Sequence, residues 1–314
     1  MSRREFLRYA GVSFAAASVF ARPELSIADS AAVPVIDTHT HFYDPTRPQG
    51  VPWPPRADPL FKPHLPEHFR ALTEKHGVIG TVVIEASSWL QDNQWILDLA
   101  KDNPVIVGFI GNIEPGKPEF AGHLELFSEN PVFLGLRLNG PVLSRNLGER
   151  AFKNDLRRLS DRQLTVDVVG DTQMLPAIGR LAKLVPDSRI VIDHLPFMEW
   201  DGDAKAARRA LARIAGLPNV YAKISNVLRC VDGRIVEDAD FYSPGLDMLW
   251  ELFGPDRAMF GSNWPVSDRV APYALVYKVL ADYFGTKERS EAEMFFWKNS
   301  QDAYQWKPRG QALS

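Results

Sequence analysis

The feature that most constrains the fold is a regular alternation of short apolar runs with amphipathic stretches. Eight runs of β-type residues follow one another after residue 32. They are Val33–Phe42, Gly80–Ala86, Val105–Gly111, Phe133–Leu138, Leu164–Val169, Arg189–Leu195, Val220–Ser225 and Ala258–Ser262. Continuous apolar strands that alternate with helices are typical of a parallel sheet whose two faces are both covered.

Amphipathic stretches separate these runs or follow the last one. They are Trp89–Lys101, Arg150–Arg162, Asp171–Val185, Ala204–Ala215, Phe241–Phe253, Pro272–Phe284 and Glu288–Tyr304. Eight strand–helix units in a core of ~250 residues predict an α/β fold of the (β/α)8 TIM-barrel type. We expect one domain over residues 33–304 and a polar tail over 305–314. A doubly wound open sheet is the alternative, but His-Thr-His-Phe stands where its glycine-rich phosphate turn would be.

The N-terminal residues 1–32 are expected to be an export signal with a short linker. Arg3 and Arg4 form a twin-arginine motif, and the apolar run from Tyr9 to Phe20 is too short to span a bilayer comfortably. We therefore expect the twin-arginine export machinery as a partner, a periplasmic location and no stable membrane anchor. The single cysteine, Cys230, excludes an internal disulfide bond and agrees with folding in the cytoplasm before export.

The composition is that of an ordinary globular protein and narrows the class of partner. Hydrophobic residues make up 45% of the chain, and the formal net charge is −3. The chain has no excess of basic residues that would indicate a nucleic-acid partner. A small-molecule substrate is therefore the expected ligand. The oligomeric state cannot be read from these features.

A proline-rich segment interrupts the pattern after the first strand. Residues 45–66 contain eight prolines, which exclude a helix or a central strand and predict an extended loop. The loop leaves the C-terminal end of the strand, where barrel enzymes build their active sites. We interpret it as a partial lid that carries Trp53 over the pocket; a tolerated surface insertion is the alternative.

The first and sixth strands both end in histidine. His39 and His41 are two positions apart on one strand and therefore project the same way. Two imidazoles aimed at one point suit a metal site or a polarised substrate oxygen. On the sixth strand, alternation predicts that His194 faces the interior with Ile190 and Ile192, and that Asp193 points away as a cap or brace.

Charged residues stand near the ends of the second and fourth strands, and the fifth strand contains Asp167. Glu85 stands where apolar residues dominate, and a buried glutamate is rare unless it is paired or has a role in a site. Arg137 is suited to hold a substrate carboxylate or lactone oxygen, or alternatively to form a structural salt bridge to Glu85 or Asp167.

The last two strands supply a cation and an amide. Lys223 shares a face with Tyr221 and Ser225, where it could bind an anionic substrate or neutralise nearby carboxylates. Asn263 is placed to close the ring back to the first strand, and Asp268 follows in the next loop.

Four of these motifs together resemble the amidohydrolase-related TIM-barrel hydrolases, and most closely the branch of sugar-acid lactonases. The motifs are His39-x-His41, Asp193-His194, the run Tyr221–Ser225 and the run Gly261–Val266. The resemblance covers about residues 33–300 and implies water attack on a lactone or similar cyclic ester.

The resemblance also implies roles for individual residues. His39, His41, His194 and Asn263 stand at the family's catalytic positions, to which the buried Glu85 is added as a catalytic candidate. The three histidines would hold one divalent metal, zinc or manganese, or act directly without metal. Arg137 and Lys223 would bind the substrate's anionic or carbonyl groups, with Trp53 contributing from the lid.

The sequence departs from the family pattern at two positions. The fifth strand has no histidine, and the eighth-strand aspartate is Asn263. An amide cannot accept a proton and is a poorer ligand for a divalent metal than a carboxylate. The general base must then be another group, for which Glu85, His194 and Asp268 are the candidates.

Three functions follow as hypotheses. The leading one is a hydrolase acting on a lactone of a sugar acid or dicarboxylic acid. The second is a metal-assisted decarboxylase on the same scaffold, which the loss of both family residues disfavours. The third is a sugar-acid binding protein without catalysis, which Asn263 favours and the retained buried histidines disfavour.

Overall fold

The computed structural model describes residues 33–195 and 204–309, so the expected export signal lies outside the described residues. Ten strands occur in these ranges. They are β1 (Val35–Thr40), β2 (Val78–Ile84), β3 (Ile106–Gly111), β4 (Phe133–Asn139), β5 (Thr165–Val169), β6 (Ile190–Leu195), β7 (Val220–Ile224), β8 (Cys230–Val231), β9 (Arg234–Ile235) and β10 (Ala258–Phe260). All except β8 and β9, which form a small antiparallel hairpin, belong to one parallel sheet in chain order.

Hydrogen bonds at the ends of β1 and β10 bring the first and last strands of the sheet together. The backbone amide of Asn263 donates to the carbonyl of His39 at 2.9 Å, and that of His41 donates to Trp264 at 2.8 Å. The carboxylate of Asp37 accepts from the amide of Ser262 at 2.9 Å. The predicted (β/α)8 barrel is therefore confirmed, and the doubly wound alternative is wrong because the strand order never reverses.

Helices follow the strands and cover the outside of the barrel. They are α1 (Pro66–Thr73), α2 (Gln91–Asp102), α3 (Phe120–Ser128), α4 (Gly140–Asn146), α5 (Arg150–Asp161), α6 (Leu175–Leu184), α7 (Ala204–Ala215), α8 (Ala239–Phe253), α9 (Tyr273–Gly285), α10 (Arg289–Glu293) and α11 (Asn299–Tyr304). A π-helical turn at Met294–Lys298 divides the last predicted helix into α10 and α11. None of the helices in the described part of the chain has the length and apolarity needed to cross a membrane.

Alternate strand residues pack on opposite sides of the sheet. On β2, Val83 packs between the strands and the helices, whereas Val82 and Ile84 belong to a separate cluster inside the barrel. This inner cluster consists of Ile36, Val82, Ile84, Val107, Ile110, Leu134, Val191, Met259, Ala303, Tyr304 and Trp306. Burial on both faces explains why the strands read as continuous apolar runs.

The C-terminal residues form the floor of the barrel. Tyr304 and Trp306 belong to the inner cluster, and Trp306 is only 2% exposed. The hydroxyl of Thr165 at the start of β5 donates to the carbonyl of Ala303 at 2.9 Å. Within the predicted polar tail from residue 305, Trp306 is therefore an exception: it is buried, whereas Gln305 and Lys307 on either side of it are exposed.

Candidate active site

The site residues lie where β1, β6 and β10 end. The ring of His39 is 4.4 Å from that of His194 and 5.0 Å from that of His41, measured between centroids. Oδ1 of Asn263 is 3.3 Å from Nε2 of His41. The fold thus brings together four predicted site residues that are far apart in the sequence.

The end of β6 differs from its predicted orientation. Ile190 and Ile192 pack on the outer side of the sheet, so simple alternation would also turn His194 outward. However, His194 has a positive φ of 63°, and the register with β7 shifts between Ile192 and Leu195. This irregularity brings His194 to the other two histidines. Asp193 follows the regular alternation with Val191 and faces the inside of the barrel, so the prediction that Asp193 points away is wrong.

Two of the imidazoles are oriented by hydrogen bonds to Nδ1. In His41 this nitrogen is 3.0 Å from the carbonyl oxygen of Ile84, which can only accept, so Nδ1 carries the proton and Nε2 has a lone pair. In His194 the same nitrogen is 2.9 Å from the hydroxyl of Ser225. The Nε2 atoms are thereby left for chemistry or for Asn263.

The three imidazoles are neutral at pH 7. Burial lowers the pKa of His41 to about 3 and that of His194 to about 4. Burial also places the pKa of His39 well below its usual value, although the neighbouring Asp193 carboxylate opposes the shift. Neutral imidazoles can accept protons, which is the property that a hydrolytic site needs.

A buried ion-pair network lies beneath the histidines. Nζ of Lys223 is 2.7 Å from Oδ2 of Asp167 and 3.0 Å from Oδ1 of Asp193, which in turn is 3.5 Å from Nδ1 of His39. Burial raises the pKa of Asp167, whereas for Asp193 the neighbouring Lys223 ammonium and the His39 ring outweigh burial and lower the pKa. Two roles were predicted for Lys223, binding of an anionic substrate and neutralisation of carboxylates. Its contacts with Asp167 and Asp193 are those of the second role.

Glu85 and Arg137 form a second ion pair, which is partly accessible. Nε and Nη2 of Arg137 lie 2.8 and 2.7 Å from Oε1 of Glu85, and Nη2 also donates to the Glu85 carbonyl at 2.8 Å. This is one of the salt bridges predicted for Arg137. Within residues 33–195 and 204–309, Nη1 of Arg137 has no hydrogen-bond partner, so it can still donate to a substrate.

The proline-rich loop places Trp53 beside the site. Its ring centroid is 6.3 Å from that of His41 and 5.4 Å from that of Tyr43. The guanidinium of Arg269 lies 5.6 Å from the Trp53 ring. Trp53 therefore lies next to His41, and its role in binding the substrate stays a prediction.

Asp268, by contrast, lies beside Lys62 and Trp264. The residue as a whole is exposed, although its carboxyl group is half-buried. Burial of its carboxyl group raises the pKa, which the nearby Lys62 and Trp264 partly offset. Asp268 is therefore the least suited of the three predicted general bases.

Two contributors were missed in the sequence. Ser225 was placed on the face of Lys223 but given no role, although its hydroxyl contacts His194. Tyr304 was read only as the end of a helix; its hydroxyl donates to Oδ2 of Asp167 at 2.8 Å. Burial and the neighbouring carboxylates raise the pKa of Tyr304 well above its usual value, so the hydroxyl keeps its proton. No local pattern marks such a long-range contact.

The arrangement of these residues does not fit a divalent metal. Across the two described ranges, no three His, Cys, Asp or Glu side chains, His39, His41 and His194 included, are arranged so that they could hold a metal ion. The nearest carboxylate, Asp193, is already paired with the Lys223 ammonium, and Asn263 offers an uncharged oxygen. We therefore assign the chemical steps below to side chains of the protein.

Comparison with known proteins identifies the family. The family model described as Amidohydrolase matches residues 36–306. The chain belongs to the amidohydrolase family. This amidohydrolase is 28% identical to an L-fucono-1,5-lactonase of Burkholderia ambifaria over 242 residues, which are 74% of this chain and 80% of the relative. It is 27% identical over 256 residues to an L-fucono-1,5-lactonase of Burkholderia multivorans, covering 76% and 84% of the two chains.

The solved structures show the same fold. An amidohydrolase of Burkholderia multivorans with bound zinc superposes with a TM-score of 0.78 at 23% identity. The match covers 87% of this chain and all of the other. The resemblance read from the sequence motifs is thus confirmed.

Proposed function

We propose that this amidohydrolase hydrolyses the lactone of a sugar acid. The observation that carries the proposal is the group of three neutral imidazoles beside the Arg137–Glu85 pair, at the strand ends where barrel enzymes act. The two relatives named L-fucono-1,5-lactonase support the same reaction class.

The Arg137–Glu85 pair favours a neutral, hydroxyl-rich substrate. The charge of Arg137 is already balanced by the Glu85 carboxylate, so the pair offers little net attraction to a dianionic dicarboxylate. Both groups can still exchange hydrogen bonds with neutral hydroxyls, since a carboxylate accepts and Nη1 donates. Lactones of sugar acids therefore fit the pocket better than lactones of dicarboxylic acids.

His194 is the proposed general base. Nε2 of His194 takes a proton from water as the water oxygen attacks the lactone carbonyl carbon, and the Asp193 carboxylate stabilises the resulting imidazolium. The ring C–O bond then breaks, and the proton passes from His194 to the leaving oxygen. Water and lactone thus give one hydroxy acid, which ionises and releases a proton.

Proton release tests this proposal. The chain from Val33 onward is mixed with lactones of sugar acids and of dicarboxylic acids, with and without added zinc, manganese or a chelator. We expect turnover of sugar-acid lactones and a loss of at least ~100-fold in His194→Gln. His123→Gln, on α3 and outside the site, is the control and should match the unaltered chain.

Other results would assign another function. Binding of sugar-acid lactones without turnover would identify a binding protein, as Asn263 allows. Release of carbon dioxide from a carboxylic acid would identify a decarboxylase. If turnover depended on added zinc or manganese, the reaction would require a divalent metal.

We also propose that residues 1–32 direct export to the periplasm through the twin-arginine pathway. The paired Arg3 and Arg4 before an apolar run support this proposal. Replacing both with lysine should keep the protein in the cytoplasmic fraction, and an unchanged distribution would refute it.

A further inference from the structure

A continuous chain of buried polar groups connects the floor of the barrel to the active site. It starts at the Tyr304 hydroxyl on α11, which donates to Asp167 at 2.8 Å. Lys223 links Asp167 to Asp193, and Asp193 faces His39 at the other end. All five of these side chains, from Tyr304 to His39, are at most 1% exposed, so this series of contacts lies wholly inside the protein.

Stability alone does not account for this series of buried polar contacts. The inner cluster around it is otherwise apolar, and buried ion pairs are often no more stabilising than well-packed apolar residues of the same size. Two carboxylates and one ammonium inside an apolar barrel therefore indicate a role in the site.

The packing leaves Lys223 little freedom. An added Cβ on Gly261 would lie 2.8 Å from Cβ of His39 and 3.3 Å from Cγ of Lys223, so both side chains press against the bare backbone of β10's end. Lys223 is also fully buried, and Nζ is held between Asp167 and Asp193. Its contact with the site is the Asp193 carboxylate, which faces His39 and also acts on the pKa of His194.

We propose that Lys223, held from the barrel floor by Asp167 and Tyr304, is a positioning residue that fixes the Asp193 carboxylate against His39. As far as activity is concerned, the inference rests on the lactone hydrolysis proposed above. It assigns a part in the reaction to Tyr304, a residue at the end of the barrel opposite to the substrate.

Tyr304→Phe is the first test, because it removes one hydroxyl and keeps the ring. The matched control is Tyr283→Phe, which removes a similar hydrogen bond, from the Tyr283 hydroxyl to Asp247 at 2.6 Å on the surface helices. We expect kcat to fall by about tenfold or more in Tyr304→Phe with KM unchanged, since small misplacements far from the chemistry can cost up to ~100-fold. The control should keep both constants.

Lys223→Met is the second variant. Its effect is measured by NMR of the histidine rings, which does not depend on activity. In the full chain with 15N-labelled histidine, the ring nitrogens of His39 should shift in Lys223→Met and in Tyr304→Phe, but not in Tyr283→Phe. If the unaltered chain turns over no lactone, the proposed function fails while this spectrum still tests the inference. Unchanged kcat and unchanged His39 signals in Tyr304→Phe would overturn it, as would a loss of Tm with kcat per folded molecule preserved.

Discussion

The backbone amide of Asn263 donates to the backbone carbonyl of His39, so two residues of the site also close the barrel. Because both partners belong to the main chain, the side chain at position 263 can change without loss of this bond. Asn263 has a φ of 64°, in the left-handed region that asparagine and aspartate tolerate better than most residues. Aspartate at this position is therefore compatible with the fold.

Asn263→Asp is expected to raise the pKa of His41. The Asn263 amide can turn either its oxygen or its NH2 group toward Nε2 of His41, 3.3 Å from Oδ1, whereas a carboxylate can only accept. A negative charge at this distance favours the imidazolium, so the pKa should rise from about 3 by at least ~1 unit. NMR titration of the His41 ring measures this shift. Asn263→Ala, which adds no charge, should show no such rise, and an equal rise there would contradict the explanation.

Gly261→Ala should impair the site more than the fold. The new methyl group would meet Cβ of His39 at 2.8 Å and Cγ of Lys223 at 3.3 Å, so one of the two must move. We expect a loss of about 1–3 kcal/mol in the free energy of unfolding and a larger relative loss of kcat. Gly216→Ala is the control, since nothing lies within 4 Å of its added Cβ. Chemical denaturation and initial rates of lactone hydrolysis measure the two effects, and full activity in Gly261→Ala would contradict them.

Asp37→Asn should stabilise the protein near pH 7. Burial raises the pKa of Asp37 to about 6, so the native state binds this proton more tightly than the unfolded state does. The free energy of unfolding therefore falls as the pH rises from about 4 to about 6, by up to about 1.4 kcal/mol per unit. Asparagine removes this loss and keeps an oxygen for the Ser262 and His39 amides.

Urea denaturation at pH 4, 5, 6 and 7 measures the effect of Asp37→Asn. The gain over the unaltered chain should grow with pH and level off above about pH 6. Asp102→Asn, the same replacement at an exposed position, is the control. A gain in stability that is largest at pH 4 would contradict the predicted direction of the pH dependence.

The two arginines that hold the proline-rich loop should differ in their effect on stability. Arg47 pairs with Asp92 at 2.9 Å, with side chains 8% and 11% exposed, and it also covers the ring of Trp95. Arg269 pairs with Asp58 at 2.6 Å, but its side chain is 40% exposed. Arg47→Met should therefore cost about 3–5 kcal/mol of unfolding free energy, and Arg269→Met no more than about 1 kcal/mol. Equal costs in denaturant titrations would show that burial does not set the strength of these pairs.

The strands could be predicted from the sequence more reliably than the helices. Each barrel strand is buried on both faces, so the apolar runs mark it directly. A helix is expected after every strand, but the bounds of α1, α3 and α4 could not be located, for local reasons. The first begins at Pro66 inside a proline-rich segment, α3 contains Gly122, and α4 has only seven residues. Such short helices gain their stability from packing on the barrel, which no local pattern reports.

The site was predictable wherever strand geometry is regular. His39 and His41 could be found because their spacing matches the two-residue period of a strand. The orientation of Asp193 was predicted wrongly because Ile190 and Ile192 were placed on the inner face, which Val191 and Asp193 occupy instead. Only His194, with its left-handed backbone, breaks the period. Tyr304 could not be found, since it meets Asp167 at a distance of 137 positions along the chain.

The barrel floor has a consequence for the order in which the molecule can be assembled. Its inner cluster joins Ile36, from the first strand, with Tyr304 and Trp306. A ribosome releases Trp306 only after every strand of the barrel has emerged, so a nascent barrel must wait with an incomplete interior until Trp306 is free. Contacts between such distant segments also form slowly. A chain shortened before Trp306 would therefore leave the inner cluster open at the barrel floor.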